Sequence, residues 1–163
     1  RHPERAARAL AILGEKSGVG GMLGGQSVDV EKTGEHLDAT TLDFIYRLKT
    51  GALLEAAFMM GAALGGASEA EISCAEQIGR AVGLAFQIQD DILDETATEA
   101  ELGKPLHSDE KNQKTTYVSL FGLEAAREAV RQQSEAAEQR LREFPGETET
   151  LAALIAYLTD RRF

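Results

Sequence analysis

Three aspartates stand inside an otherwise apolar run, Phe86-Gln87-Ile88-Gln89-Asp90-Asp91-Ile92-Leu93-Asp94. A charged side chain is kept in such surroundings when it is paired or when it holds a metal. Read as a helix, Gln87, Asp90, Asp91 and Asp94 fall at i, i+3, i+4 and i+7 and share one face. Leu84, Ala85, Phe86, Ile88, Ile92 and Leu93 cover much of the remaining circumference. The pattern predicts a helix buried on most sides, with one acidic stripe turned toward a polar cavity.

The rest of the chain has the same period. Apolar residues recur at spacings of three and four, and no segment sustains a period of two, so the expected class is all-α. Helices are expected over residues 4–13, over a glycine-rich stretch 17–30, and from a cap at Asp38, Thr40 or Thr41 through residue 64. Gly65-Gly66 should end that helix, and Ser68 with Glu71 forms a capping-box pattern opening the helix that carries the stripe. Residues 95–113 are polar, hold Gly103 and Pro105, and read as a loop or broken helix. Further helices are expected over 115–121, 123–144 and, after Pro145-Gly146, 149–160. Without a dividing linker, residues 1–163 are expected to form one domain.

Composition narrows the partners. Asp plus Glu number 27 against 17 Lys plus Arg, a net charge of -10, which argues against nucleic acid. It leaves room for an anionic substrate, because a few lysines or a bound cation reverse the sign of a pocket. Cys74 is the single cysteine, so no internal disulfide forms and a reducing, cytoplasmic setting is expected. Among alanine and isoleucine it reads as a packed thiol. No apolar run reaches membrane-span length, and nothing resembles a signal peptide. The chain opens Arg1-His2-Pro3 without Met and reads as a processed or partial product.

Taken alone, the aspartate triad reads equally as a solvated face. The apolar surroundings favour a hard cation, and Mg²⁺ takes one or two carboxylates plus phosphate oxygens and waters. No His or Cys nearby suggests zinc. A magnesium–phosphate site also needs direct cationic contacts. Lys49, in Lys49-Thr50-Gly51, lies in an apolar helix where a lone lysine commonly snorkels to the surface. Lys104, after Gly103, and Lys114, before Thr115-Thr116-Tyr117, lie in polar text where lysines are commonly just solvated. Together with the aspartates these cations describe a diphosphate clamp, metal on one side and ammonium groups on the other.

The ordered set of motifs resembles the C-terminal half of a trans-type isoprenyl diphosphate synthase, close to the bacterial farnesyl and geranylgeranyl synthases of the polyprenyl synthetase family. FQIQDDILD resembles that family's second aspartate-rich motif. Gly21-Met22-Leu23-Gly24-Gly25-Gln26 with Asp29 resembles its glycine-rich helix, Lys49-Thr50-Gly51 its KTG segment, and residues 103–122 its flexible loop and following helix. The resemblance implies the C-terminal part of an isoprenoid-synthase-type helical bundle. It implies that Asp90 ligates a Mg²⁺ on the allylic diphosphate, with Asp91 and Asp94 acting directly or through waters. It further implies that Lys49, Lys104 and Lys114 contact that diphosphate, and that Gln87 and Thr50 offer oxygen dipoles near the allylic carbon. Phe58, Met59, Met60 and Phe86 are available as cavity walls, although core packing suits most of them better. The implied reaction is condensation of an allylic diphosphate with isopentenyl diphosphate, and the implied assembly is a homodimer.

The resemblance also has gaps. The family carries a first aspartate-rich motif followed by arginines on an earlier helix, and the adjacent aspartates Asp90-Asp91 have no counterpart elsewhere in the chain. The 163 residues alone are therefore expected to be inactive. His107 stands where many members have glycine, and Val118 where many have proline. A cyclase of similar fold and a non-catalytic subunit of a heteromeric synthase are the alternatives. The intact set of Lys49, Asp90 and Lys104 argues against the subunit.

Overall fold

The computed structural model of the protein describes residues 2–96 and 114–159. Among these the regular elements are all helical: α1 Pro3–Ser17, α2 Met22–Glu31, α3 Ala39–Ile45, a π-helical turn Tyr46–Gly51, α4 Ala52–Gly65, α5 Glu69–Thr96, α6 Tyr117–Phe121, α7 Leu123–Glu143 and α8 Glu149–Thr159. The all-α expectation holds.

Capping chemistry explains several boundaries. The Asp38 carboxylate accepts from the Thr41 amide at 2.8 Å and opens α3. At the start of α5 the Ser68 amide donates to Glu71 at 2.6 Å, and the Glu71 amide donates to the Ser68 hydroxyl at 3.3 Å. Gly66, at φ +89°, ends α4 in the left-handed region that glycine tolerates.

Several expected boundaries need correction. The helix predicted over 17–30 is two elements, because α1 runs on to Ser17 and a turn at residues 18–21 precedes α2. The helix predicted over 38–64 is not uniform: Tyr46–Gly51 widens to π geometry, where each amide bonds five residues back. The start of the 95–113 region is helical through Thr96, and its remainder lies outside the described residues. The helix predicted from 115 starts at Tyr117, with Thr116 as its cap in a reciprocal box with Ser119.

The central element is α5, whose 28 residues span roughly 42 Å at the α-helical rise. It packs chiefly between α4 and α7, with α1 against α4 and α8 against α7 and α5. Three apolar clusters follow its length. Ile72 meets Ile12, Ala56 and Met59; Ile78 and Val82 meet Ala137, Leu141 and Ile155; Ile88 and Ile92 meet Leu42, Ile45, Ala126 and Val130. Each fully buried isoleucine or valine contributes about 1.5–3 kcal/mol relative to exposure. This packing fixes α5 on several sides and fixes the direction of its polar face.

Small residues set how closely α4 approaches. A Cβ at Gly79 would lie 2.7 Å from the Glu55 Cα, and one at Gly83 would lie 2.9 Å from the Gly51 Cα. The two backbones therefore touch at successive turns of α5. One turn further, at Gln87, that contact opens into the site.

Candidate functional site

Beyond Gly83 the π turn lies directly over α5. The Thr50 hydroxyl donates to the Gln87 side-chain carbonyl at 2.9 Å. Lys49, one residue earlier, points its ammonium at the Asp29 carboxylate of α2 at 2.5 Å. Close approach of α2 makes this possible, since a Cβ at Gly25 would collide with the Lys49 amide nitrogen. Gly25 and Asp29 are one helical turn apart, so the glycine that admits the backbone and the acid that meets the lysine share a face. The glycine-rich stretch thus acts through helix packing.

Asp91 is 5% exposed and holds the site from below. Its Oδ2 accepts from the Tyr46 hydroxyl at 2.5 Å and from the Tyr117 backbone amide at 2.8 Å. Thr115 secures the other rim, its hydroxyl accepting from the Leu37 amide at 2.9 Å and so joining the 32–38 loop to the segment before α6.

These elements enclose a cleft of about 90 Å³. Lys49, Thr50, Gln87, Asp91 and Lys114 all line it, together with Asp29, Lys32 and Tyr46. Five residues singled out from sequence, up to 65 positions apart (49 to 114), thus converge. Asp94, 6% exposed, and the half-buried Asp90 continue the stripe along α5 but do not line this cleft. The stripe therefore meets the cleft through Gln87 and Asp91 only. Among the described residues no three His, Cys, Asp or Glu side chains converge as a metal cluster. The stripe still offers hard carboxylate oxygens, the donor type that Mg²⁺ takes one or two at a time.

Other candidates stand apart. Lys104, with Gly103, Pro105 and His107, lies outside the described residues. Met59 belongs to the core, Met60 packs against the same cluster, and Phe58 lines a separate groove between α4 and α8. None of them, nor Phe86, borders the cleft. Tyr46 was missed by the sequence reading. Its only signal was a polar-tipped aromatic three residues before Lys49, in a segment that otherwise reads as apolar helix.

A second charged group, also missed, lies two turns back along α5. Glu55, 3% exposed, accepts from Lys16 of α1 and from Arg80 Nε at 3.0 Å. Lys16 also meets Glu76 at 2.6 Å. Burial would lower the Lys16 pKa, but its hydrogen bonds to Glu55 and Glu76 outweigh that and hold it above the ordinary lysine value. The hydrogen bond to Glu55 raises Arg80 in the same direction.

Comparison with known proteins agrees with this architecture. The family described as Polyprenyl synthetase matches residues 4–158. The chain is 41% identical over 160 residues to a dimethylallyltranstransferase of Fischerella ambigua, covering 96% of this chain and 46% of that protein. It thus spans about half the length of the curated relatives it matches. Geranylgeranyl pyrophosphate synthetase of Pyrococcus horikoshii superposes with a TM-score of 0.84 at 27% identity, over 98% of this chain and 60% of that one. Helicobacter pylori geranyltransferase complexed with magnesium and isoprenyl diphosphate superposes with a TM-score of 0.75 at 28% identity, over 96% and 50%.

Proposed function

The chain belongs to the polyprenyl synthetase family, and from that premise we propose that it supplies the diphosphate-ionising part of a trans-prenyltransferase. The reaction joins an allylic diphosphate to isopentenyl diphosphate and releases a short-chain product, farnesyl or geranylgeranyl diphosphate. The observation that carries this reading is the cleft in which Lys49, Lys114, Thr50, Gln87 and Asp91 meet.

Ionisation breaks a C–O bond, leaving the electron pair on the diphosphate and positive charge on the allylic carbon. A new C–C bond to isopentenyl diphosphate follows, with loss of one proton. Catalysis needs charge stabilisation aimed at the leaving group in a site from which water is excluded. Lys49 and Lys114, with Lys104 from beyond the described residues, meet the departing anion. The oxygens of Thr50 and Gln87, held to each other at 2.9 Å, oppose the developing positive charge. Asp90, together with Asp91 and Asp94 directly or through waters, would hold Mg²⁺. When bound, that ion neutralises leaving-group charge.

The similarity to a geranyltransferase complexed with magnesium and isoprenyl diphosphate supports this choice of ligands. No described helix is long and apolar enough to cross a membrane. We take the assembly to be a cytoplasmic homodimer. The 163 residues alone should be inactive, because they contain no counterpart of the family's first aspartate-rich motif.

The test is Asp90→Ala in the full-length natural protein, assayed with an allylic diphosphate and isopentenyl diphosphate. A fall of about 10²-fold or more in kcat is expected for a key electrostatic contact. Near-normal turnover would overturn the assignment.

A further inference from the structure

We propose that Tyr46 is a positioning residue of the diphosphate cleft, and that Asp91 is the tether through which it acts. The inference rests on the diphosphate reading above and adds to it how the cleft is held together.

Tyr46 is the first residue of the π turn, and its ring is packed in the cluster that includes Ile45 and Ile88. Its hydroxyl meets Asp91 Oδ2 at 2.5 Å, and the same oxygen takes the Tyr117 backbone N–H at 2.8 Å. A carboxylate oxygen offers about two lone-pair sites, so protein donors fill Oδ2. Through that one atom three separate stretches of chain are joined. One carries Lys49 and Thr50, one carries Gln87, and one carries Lys114, three residues before Tyr117. Hydrogen bonds to a charged acceptor are short and strong, so they fix the relative position of what they join. Asp91 therefore sets the distance between the two lysines.

The experiment titrates pyrophosphate with Mg²⁺ by calorimetry into the full-length natural protein carrying Tyr46→Phe, Lys114→Ala or both. Tyr46→Phe should weaken pyrophosphate about tenfold, the scale of one hydrogen bond to a charged group. The double variant should bind no more weakly than Lys114→Ala, because the tyrosine acts through where that lysine stands. Additive losses, or no loss in Tyr46→Phe, would overturn the proposal. Asp91→Asn keeps an acceptor oxygen and should keep the Tyr117 amide protected from exchange, whereas Asp91→Ala should not. A Tyr117 amide that exchanges as fast in the asparagine variant as in the alanine one would overturn the tether.

Amide exchange at Tyr117 gives an independent readout. It should quicken in Asp91→Ala relative to neighbouring amides of α6, and an unchanged rate would overturn the tether. If wild type shows no Mg²⁺-dependent pyrophosphate binding, the functional reading fails, and the Tyr117 amide still decides the tether.

Discussion

Along its first half α5 carries Glu76 and Arg80, which join Lys16 and Glu55 in a group of two acids and two bases with contacts of up to 3.5 Å. Along its second half it carries Gln87 and Asp91, which face hydroxyls, a backbone amide and a cleft lined by lysines. The first group is closed on itself, with opposite charges matched around the buried Glu55. The second presents Lys49 and Lys114 to an open space large enough for a small anion. Both lie on one helix and one packing surface, the face that Gly79 and Gly83 bring against α4. The difference separates charge used only to hold helices from charge that also lines a space for a ligand, Lys49 being paired there with Asp29.

The largest expected effect lies in the closed group. Glu55→Ala leaves Lys16 and Arg80 beside a buried gap, and breaking such a pair costs about 3–5 kcal/mol. Urea unfolding should show this loss, while pyrophosphate binding by the folded fraction stays as in wild type. Equal damage to binding would break the division between the two halves.

The two glycines sharpen the comparison. Gly79→Ala pushes a methyl group against the Glu55 backbone, and overpacking of this kind costs about 1–3 kcal/mol. Gly83→Ala does the same to Gly51, but there the π turn must shift, carrying Thr50 off Gln87. Both should unfold at lower urea, and only Gly83→Ala should also weaken pyrophosphate in calorimetry.

A smaller effect comes from pH. Because Lys16 is held above its ordinary value in the folded chain, its contribution is complete below that value and is lost as pH rises through the raised one. Thermal midpoints should therefore fall in strongly alkaline buffer, and the fall should shrink in Lys16→Met. The caps give the smallest effect, with the opposite sign. The amide and hydroxyl of Thr41 hold Asp38 below the usual carboxylate range, and the Ser68 amide and hydroxyl do the same for Glu71. Their contribution is present above the ordinary carboxylate value and is lost as pH falls through the lowered one. Asp38→Ala should flatten that acid limb in the same thermal scans.

The helical class, the caps at Asp38 and Ser68 and the stop at Gly66 were legible because each depends on residues within a few positions of one another. The grouping of Lys49 and Lys114 with the aspartates followed from what a diphosphate needs, whereas the part of Thr50 was legible only through resemblance, since nothing local relates residue 49 to residue 114. The closed group was not read. Glu55 is a lone acid in an apolar stretch, and its partners Lys16 and Arg80 stand 39 and 25 residues away. The π turn was missed for a different reason. One widened turn displaces the apolar pattern by a single residue, too little to show in a short segment. Tyr46 stayed hidden with it, because an aromatic in an apolar helix reads as core until the carboxylate beneath its hydroxyl is seen.

The central claim is that the second half of α5 forms a magnesium-dependent diphosphate site and the first half does not. Pyrophosphate titrated by calorimetry into the full-length natural protein, with and without Mg²⁺, tests it when Lys49→Ala is compared with Lys16→Met. The account predicts binding that requires Mg²⁺, weakens about tenfold or more in Lys49→Ala, and is unchanged in folded Lys16→Met. Binding that ignores Mg²⁺, or that falls equally in both variants, would contradict it.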